Sequence, residues 1–296
     1  MLGAYRYSLA LVGAAATWGT ATVISKRAVD EIDPLTLLPV QLAVSVVTLA
    51  AAVHLTGTQL LWTPELRRLS LLGVLNPGVS YALSLAGLAR ITASMSVLLW
   101  AVEPLLILAL AFWILKDRVS LPMALCAGAA ASGVVLVVFQ PGSQATVVGV
   151  VFTIGGVAAC AVYTVLSSKF LVEAPAISVV LAQQVSAFAF SLLLLLGSFI
   201  VTDPASLSGV SATAWFCAIV AGALYYGVAF WFYVTGLGGV RPGYAGMFIN
   251  LIPVFGLAAA YIFLDERLTA RQWLGAALVL AAVGAIALMQ SRRGSD

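Results

Sequence analysis

The segment NLIPVFGLAAAYIFLDER, residues 250–267, decides the fold because a related segment lies 149 positions earlier. That segment, AVEPLLILALAFWILKDR, covers residues 101–118 and has Pro104 at the position equivalent to Pro253. Each segment is an apolar run that ends in a cluster of charged residues. Extended to residues 73–118 and 222–267, the gap-free alignment contains 12 identities in 46 positions. The sequence therefore predicts an internal repeat.

The chain as a whole is too apolar for a water-soluble protein. Its 296 residues are 62% hydrophobic and only 8% charged, with a mean hydropathy of +1.10. A soluble domain carries about 25% charged residues, and a membrane helix needs roughly 20 apolar ones. We therefore predict transmembrane helices at residues 5–25, 34–55, 68–89, 92–115, 121–139, 147–170, 176–201, 212–236, 241–264 and 270–290.

These helices predict an all-α integral membrane fold of two five-helix repeats, residues 1–142 and 143–296. Because five is odd, the second repeat enters the membrane from the opposite side and is inverted. Near the N-terminus we expect a repeat shift of 143, which pairs Gly13 with Gly156. Inverted repeats are typical of alternating-access transporters, whose substrate cavity lies between the halves. The alternative is a duplication in a purely structural membrane protein.

Basic residues at the helix ends predict the orientation, since they concentrate on the cytoplasmic side. Nine of the fourteen fall on the side of both termini, which is therefore expected to be cytoplasmic, and five fall on the other. The nine are Arg6, Arg67, Arg68, Lys116, Arg118, Lys169, Arg241, Arg292 and Arg293, and the five are Lys26, Arg27, Arg90, Arg267 and Arg271.

Helix-breaking residues occur in mid-span at equivalent places in the two halves. A proline inside a helix removes one backbone hydrogen bond and clashes with the carbonyl four residues earlier. Such breaks can act as hinges or line a cavity, and static kinks that improve packing are the alternative. The predicted hinge residues are Pro77, Gly78, Pro104, Gly227 and Pro253.

Glu103 is the one ionisable residue that we place in the middle of a helix. An acidic side chain costs about 2.5–3.5 kcal/mol at the bilayer centre on insertion scales, so it should face the protein interior or water. It would bind a substrate ammonium group, couple transport to protons, or brace a neighbouring helix. Deep aromatic residues and an amide are predicted to line the same cavity, with helix packing as the alternative role: Trp18, Tyr81, Trp100, Tyr163, Tyr226, Phe230 and Asn250.

Several classes of site are not expected. The chain has one histidine and three separated cysteines, which do not have metal-ligand spacing. It has no phosphate-binding glycine loop with lysine, so we expect no ATPase, cofactor or metal. The net charge of +3 comes from helix ends and does not indicate a nucleic-acid partner. We expect a monomer, whose partners are the lipid bilayer and a small-molecule substrate, and no enzyme, which would need clustered polar groups.

The two segments that end at Arg118 and Arg267 resemble the repeated signature of the EamA-type, ten-helix members of the drug/metabolite transporter superfamily. Trp18-Gly19 in the first helix is also typical of them. Among these members the chain looks most like the YddG-type exporters of aromatic and other amino acids. The resemblance implies ten helices, cytoplasmic termini, a central cavity and export without ATP. The first copy departs from the signature, because Asp117 stands where glutamate is usual.

From the resemblance and the repeat together, we expect a bacterial inner-membrane exporter of neutral amino acids, including aromatic ones, or of related small metabolites. Efflux of multiple cationic compounds is an alternative. It is disfavoured because the first helix lacks the acidic residue that small multidrug members carry there. An intramembrane enzyme that acts on a lipid-linked substrate is a further alternative.

Overall fold

The computed structural model describes residues 2–58, 63–110, 121–138, 147–167, 175–201, 207–240 and 248–293. Within these ranges the regular secondary structure is entirely helical. We number the membrane helices α1 to α10. Their bounds are α1 Leu2–Val29, α2 Pro34–Leu55, α3 Pro64–Leu88, α4 Ala93–Trp100 with Glu103–Leu110, α5 Leu121–Val138, α6 Val147–Ser167, α7 Ala176–Val201, α8 Ala212–Leu237, α9 Ile252–Leu264 and α10 Ala270–Arg293.

The prediction of ten membrane helices is confirmed. Seven helices of the described chain are long and apolar enough to cross a bilayer, and α4, α9 and α10 contribute three shorter apolar stretches. Some predictions lie outside the described residues. These are the ends of four predicted helices at 111–115, 139, 168–170 and 241–247, and the division at 142–143. The charged residues Lys116, Asp117, Arg118, Lys169 and Arg241 also lie outside.

Polar residues fix where several helices begin. The side chain of Asp33 accepts a hydrogen bond from the amide of Leu35 at 2.9 Å, and Pro34 occupies the first turn of α2. Thr63, Thr92 and Ser211 cap α3, α4 and α8 in the same way. These side chains satisfy amides that have no partner within the helix. The short polar connections therefore stop one apolar helix and start the next.

The outer faces of the helices carry large apolar side chains. Leu193 on α7 is 67% exposed, Ile200 on the same helix is 87% exposed, and Ile262 on α9 is 69% exposed. A water-soluble protein rarely exposes so many apolar side chains together. In a bilayer this surface faces lipid, and no hydrophobic penalty arises.

Helices of each half pack against helices of the other half across the centre of the molecule. Helix α1 packs against α8 and α9 of the second half, and its counterpart α6 packs against α3 and α4 of the first half. Helix α3 packs on α7 as α8 packs on α2, and α5 and α10 pack on each other. This reciprocal pattern is that of two inverted five-helix repeats.

Close approaches between backbones show the register of the repeat. A Cβ atom on Gly133 of α5 would lie 2.6 Å from the carbonyl oxygen of Gly275 on α10, and one on Gly275 would lie 2.6 Å from that of Gly133. Likewise Gly73 faces the backbone of Gln183, and Gly222 faces that of Gln41. Gly133 and Gly275, and Gln41 and Gln183, are 142 positions apart.

The shift of 143 expected near the N-terminus is therefore wrong by one residue. Gly13 packs on the side chain of Phe232, and the equivalent contact is that of Gly155, not Gly156, with Leu83. The pairing of Gly13 with Gly156 rested on a few matching small residues, which occur by chance in a chain this rich in glycine and alanine. A shift of 142 relates α1, α2 and α5 to their counterparts, whereas 149 relates α3 and α4 to theirs.

Candidate functional site

A cavity of about 560 Å³ lies between the two halves. It is enclosed by helices from both repeats, so neither half could form it alone. The side chains that line it are mostly aromatic or aliphatic, with a few polar groups among them. Its lining includes Trp18, Thr22, Leu69, Asn76, Tyr81, Trp100, Glu103, Pro104, Cys160, Tyr163, Thr164, Ser167, Ala176, Gln183, Tyr225, Phe230, Tyr233, Leu237, Asn250 and Pro253.

One wall of the cavity is an aromatic cluster contributed by α3, α4 and α8. The rings of Tyr81 and Trp100 stack with centroids 5.6 Å apart and planes inclined by 20°. Tyr225 meets Tyr81 edge to face at 5.2 Å. Offset and edge-to-face arrangements are the favoured ones for aromatic pairs. These contacts hold the rings in place and give the wall a defined shape.

A second aromatic cluster forms where α1 crosses α8. Trp18 meets Phe230 edge to face at 5.1 Å and lies 5.7 Å from Tyr233. All three line the cavity. Together the two clusters present flat, weakly polar ring surfaces of a kind that binds apolar groups and organic cations.

Glu103 is the single carboxyl group among the described lining residues. Its Oε1 accepts a hydrogen bond from the thiol of Cys160 on α6 at 3.2 Å. A thiol is a weak donor, so the carboxyl group keeps capacity for a stronger one. The contact also joins the first half to the second at the centre of the cavity.

A separate polar pair lies on α6 and α7. The hydroxyl of Tyr163 donates to Oε1 of Gln183 at 2.9 Å, and Nε2 of Gln183 donates to the carbonyl oxygen of Leu69 at 3.2 Å. Both the oxygen and the nitrogen of the Gln183 side-chain amide are therefore hydrogen-bonded to other groups of the protein. This arrangement fixes the orientation of the Tyr163 ring on the cavity wall.

Both predicted proline breaks are present in the structure. Helix α4 is interrupted by a turn at Ala101 and Val102, two residues before Pro104. A turn at Asn250 and Leu251 precedes Pro253 in the same way. Both prolines line the cavity. The breaks place backbone that is not regularly helical at the centre of the molecule, which membrane proteins tolerate where it lines a cavity.

Two π-helical segments interrupt α3 and α8 at equivalent places. They are Val74–Val79 and Gly222–Val228, and the second begins 148 positions after the first. A π-helical turn contains an additional residue compared with an α-helical turn. Within the first segment Asn76 departs from helical geometry, with φ −143° and ψ 118°.

The π segments change which residues face the cavity. With an α-helical spacing of four, Pro77 would share a face with Tyr81, and Tyr226 with Phe230. In the structure the lining pairs are instead five residues apart: Asn76 with Tyr81, and Tyr225 with Phe230. The wider turn therefore brings the preceding residue to the cavity in both halves.

The cavity extends to one face of the membrane domain, here called the mouth face. It is defined by Ser167 at the end of α6, Ala176 at the start of α7 and Leu237 at the end of α8, all of which line the cavity. Because the helices alternate in direction, the start of α1 and the end of α10 lie at this face too. Both ends of the described chain are therefore on the side toward which the cavity extends.

The opposite face, here called the closed face, is held together by carboxylates that cap helices of the other half. Glu31, after α1, accepts hydrogen bonds from the amide and the hydroxyl of Ser211 at the start of α8, at 2.8 and 2.9 Å. Glu266, after α9, accepts from the amides of Ala93 and Ser94 at the start of α4, at 2.8 and 2.7 Å. Each carboxylate accepts hydrogen bonds from helix amides that have no partner within the helix. Its negative charge also interacts favourably with the positive end of the helix dipole.

Comparison with known proteins gives the family. Residues 6–139 and 147–288 match the EamA-like transporter family. The chain belongs to this family. A protein of Archaeoglobus fulgidus named "Uncharacterized transporter" is 25% identical over 274 residues, which cover 90% of this chain and 93% of that protein. These findings support a membrane transporter.

A solved crystal structure of a protein superposes on this EamA-like transporter with a TM-score of 0.68. The match covers 96% of this chain and 98% of the other, at 18% sequence identity. A similarity at this level of identity supports the fold alone.

Most of the residues predicted from the sequence come together in this transporter. The cavity brings together Trp18, Tyr81, Trp100, Glu103, Tyr163, Phe230, Asn250, Pro104 and Pro253. Tyr226 does not line it; it is 1% exposed and packs in the core with its ring 5.0 Å from that of Tyr81. Pro77, Gly78 and Gly227 lie in the π segments but not on the cavity wall.

Sequence reasoning missed several residues that line the cavity. The repeat carried a usable signal for some of them, since a shift of 149 pairs Asn76 with Tyr225. A shift of 142 pairs Trp18 with Cys160 and would have added that cysteine. The shift of 142 also pairs Gln183 with Gln41, but Gln41 does not line the cavity, so the repeat did not place Gln183 there. Tyr233 had no such signal. No cluster of three or more potential metal ligands occurs among the residues that the structure describes.

Proposed function

We propose that this EamA-like transporter exports neutral amino acids, including aromatic ones, or related small amine-bearing metabolites by alternating access. The observation that carries the proposal is the cavity between the inverted halves, which extends to the mouth face and ends before the closed face. Its volume of about 560 Å³ is within the range of sites for small molecules. Its aromatic walls and central carboxyl group suit an apolar molecule with an amino group.

The inverted repeat supports the alternating part of the proposal. The two halves have nearly the same packing contacts in opposite orientation, so exchanging their conformations would open the closed face and close the mouth face. The contacts of Glu31 and Glu266 would then break, while equivalent contacts form on the other side.

The direction of transport rests on the charge bias, which supports cytoplasmic termini, and on the proposal that the protein lies in the inner membrane of a bacterial cell. With that orientation the mouth face is cytoplasmic and the present structure is open to the interior. An exporter in this state would load its substrate from the cytoplasm and release it when the closed face opens.

The direct test is uptake of radiolabelled amino acids and their derivatives into liposomes that contain the purified transporter. We expect uptake above that of empty liposomes for one or more neutral substrates, and competition by related unlabelled molecules. Absence of uptake across a broad panel, from protein that is monodisperse and folded, would refute the proposed substrate class.

Efflux of cationic compounds is a second candidate, favoured by one observation. The described lining contains one carboxyl group and no lysine, arginine or histidine. The intramembrane-enzyme alternative gains no comparable support, since Glu103 has no second acidic group beside it among the described lining residues.

A further inference from the structure

The formal charge of the cavity is not balanced by its own side chains. Among the described lining residues Glu103 has the single carboxyl group, and none is a lysine, arginine or histidine. Its one hydrogen-bond partner in the described chain is the thiol of Cys160 at 3.2 Å. An ionised carboxyl group in an apolar site is costly unless a cation or strong donors pair with it.

We infer that the transported molecule is an organic monoammonium ion with an aromatic body and without a carboxylate of its own. The inference rests on the proposed transport function and narrows its substrates to the amine-bearing metabolites, to the exclusion of the amino acids. A monoammonium ion beside Glu103 makes the occupied cavity electrically neutral. A zwitterionic amino acid would bring a second carboxylate into the cavity, and no lining cation of the described chain would pair with it.

The aromatic walls of the cavity also suit a molecule with an ammonium group and an aromatic body. Among the described residues, seven aromatic side chains line the cavity: Trp18, Tyr81, Trp100, Tyr163, Tyr225, Phe230 and Tyr233. Ring faces attract ammonium groups, most strongly where water is excluded. The same faces stack on an aromatic body. A molecule with both features uses the carboxyl group and the rings together.

Asn76 supplies an independent indication that the ligand donates hydrogen bonds. Its side chain is 7% exposed and lines the cavity, yet its Oδ1 has no partner among the described residues. That oxygen is covered by protein atoms, so a ligand reaches it only when the side chain rotates about its soft terminal torsion. A buried amide oxygen is stabilised by a donor, and an ammonium group has three.

The test compares three ligands that share one ring: 2-phenylethylamine, 2-phenylethanol and phenylalanine. The amine carries one positive charge, the alcohol carries none, and phenylalanine carries an ammonium group and a carboxylate. Binding to the wild-type transporter in lipid nanodiscs is measured by calorimetry, and transport by uptake into liposomes. We expect the amine to bind about tenfold or more tightly than either of the other two, as one charge-assisted contact predicts.

Glu103→Gln tests the residue. It should weaken amine binding about 10- to 100-fold and change the affinity for the alcohol by less than about threefold. Glu103→Asp should recover part of the amine affinity. Glu65→Gln, at an exposed position at the start of α3, is the matched control and should leave all three affinities unchanged. If Glu103→Gln does not fold, the comparison of the three ligands on the wild-type transporter still tests the inference.

The outcomes distinguish failure of the monoammonium inference from failure of the transport proposal. Phenylalanine that binds or is transported at least as well as the amine overturns the monoammonium inference and leaves the transport proposal intact. Equal affinity for amine and alcohol also overturns it. If none of the three binds or is transported, while the protein is folded, both the inference and the proposed substrate class fail.

Discussion

The carboxylate of Glu266 bridges the two halves of the transporter by accepting the backbone amide of Ala93 at 2.8 Å with one oxygen and that of Ser94 at 2.7 Å with the other. Ala93 begins the first segment of α4, so the contact caps a helix of the opposite repeat. It lies on the closed face and can persist only while α4 and the end of α9 stay together. The pair therefore stabilises the state in which this face is shut.

Glu266→Gln should weaken this contact, because the amide retains one acceptor oxygen and loses the negative charge. The expected loss is about 1 kcal/mol, typical of a weakened helix cap. We expect the melting temperature of the purified protein to fall by a few degrees. Asp265→Asn is the control, since Asp265 is exposed and its ion pair with Arg267 is on the surface. An equal decrease for Asp265→Asn would contradict the assignment.

Glu31 provides a pH-dependent prediction at the same face. Hydrogen bonds from the Ser211 amide and hydroxyl lower the pKa of Glu31 below the ordinary value of 4.5. A depressed folded-state pKa means that the contact stabilises the protein above the unfolded pKa and loses this effect as the pH falls through the folded one.

Melting temperatures of wild type and Glu31→Gln, measured across the acid range, test this prediction. The wild type should be the more stable near neutral pH, and the difference should shrink once the pH falls below about 4.5. A difference that stays constant into strong acid would mean that the carboxylate charge is not responsible.

The contact between α5 and α10 depends on the absence of side chains at two glycines. Gly275→Ala would place a Cβ 2.6 Å from the carbonyl oxygen of Gly133, so the helices must separate. We expect the free energy of unfolding to fall by about 1–3 kcal/mol. Gly284→Ala on the same helix is the control, because a Cβ there meets nothing within 4 Å. It should be neutral or slightly stabilising, since alanine favours the helix. Similar effects of the two changes would rule out the close-contact explanation.

Adjacent tyrosines on α8 distinguish the cavity wall from the core. Tyr225 lines the cavity, whereas Tyr226 is 1% exposed. We expect Tyr225→Phe to change the affinity for substrate severalfold, as loss of one hydrogen-bonding group allows. Tyr226→Phe should leave affinity unchanged. Substrate binding by calorimetry and thermal stability should be measured for both variants. A stronger binding defect in Tyr226→Phe would restore the sequence-based assignment.

Part of the site could be predicted from the sequence, and the assignment of Tyr226 in place of Tyr225 shows where the prediction stopped. Pro104, Pro253 and Glu103 were identified because their effects are local: a missing amide breaks a helix, and a carboxyl group in an apolar run needs an interior position. The choice of Tyr226 over Tyr225 assumed an α-helical period of 3.6 residues. The π segment Gly222–Val228 lengthens the turn and shifts the phase by about one residue.

Other features depended on tertiary contacts and were not predictable from one sequence. The role of Glu266 requires that the start of α4 lie beside the end of α9, although 172 and 173 residues separate the partners. The thiol of Cys160 meets Glu103 only because α6 packs on α4. Composition and the repeat predicted the helices and their inversion, whereas pairings between helices came from the three-dimensional packing.

The proline breaks of α4 and α9 give a prediction about rate. Pro253 follows a turn at Asn250 and Leu251, and alanine at position 253 would supply the amide that a continuous helix requires. If the break is a hinge, Pro253→Ala and Pro104→Ala should lower transport turnover several-fold while substrate affinity stays within about twofold, because interconversion rather than binding depends on the break.

Pro39→Ala is the matched control for both changes. Pro39 is buried inside α2, and that helix continues through it without a turn. The variant should transport at the wild-type rate if it is equally stable. Turnover in liposomes and binding in nanodiscs, measured on the same preparations, separate the two effects. Unchanged turnover in Pro104→Ala and Pro253→Ala would show that the breaks shape the cavity as fixed kinks, whereas a loss of affinity would assign them to substrate binding.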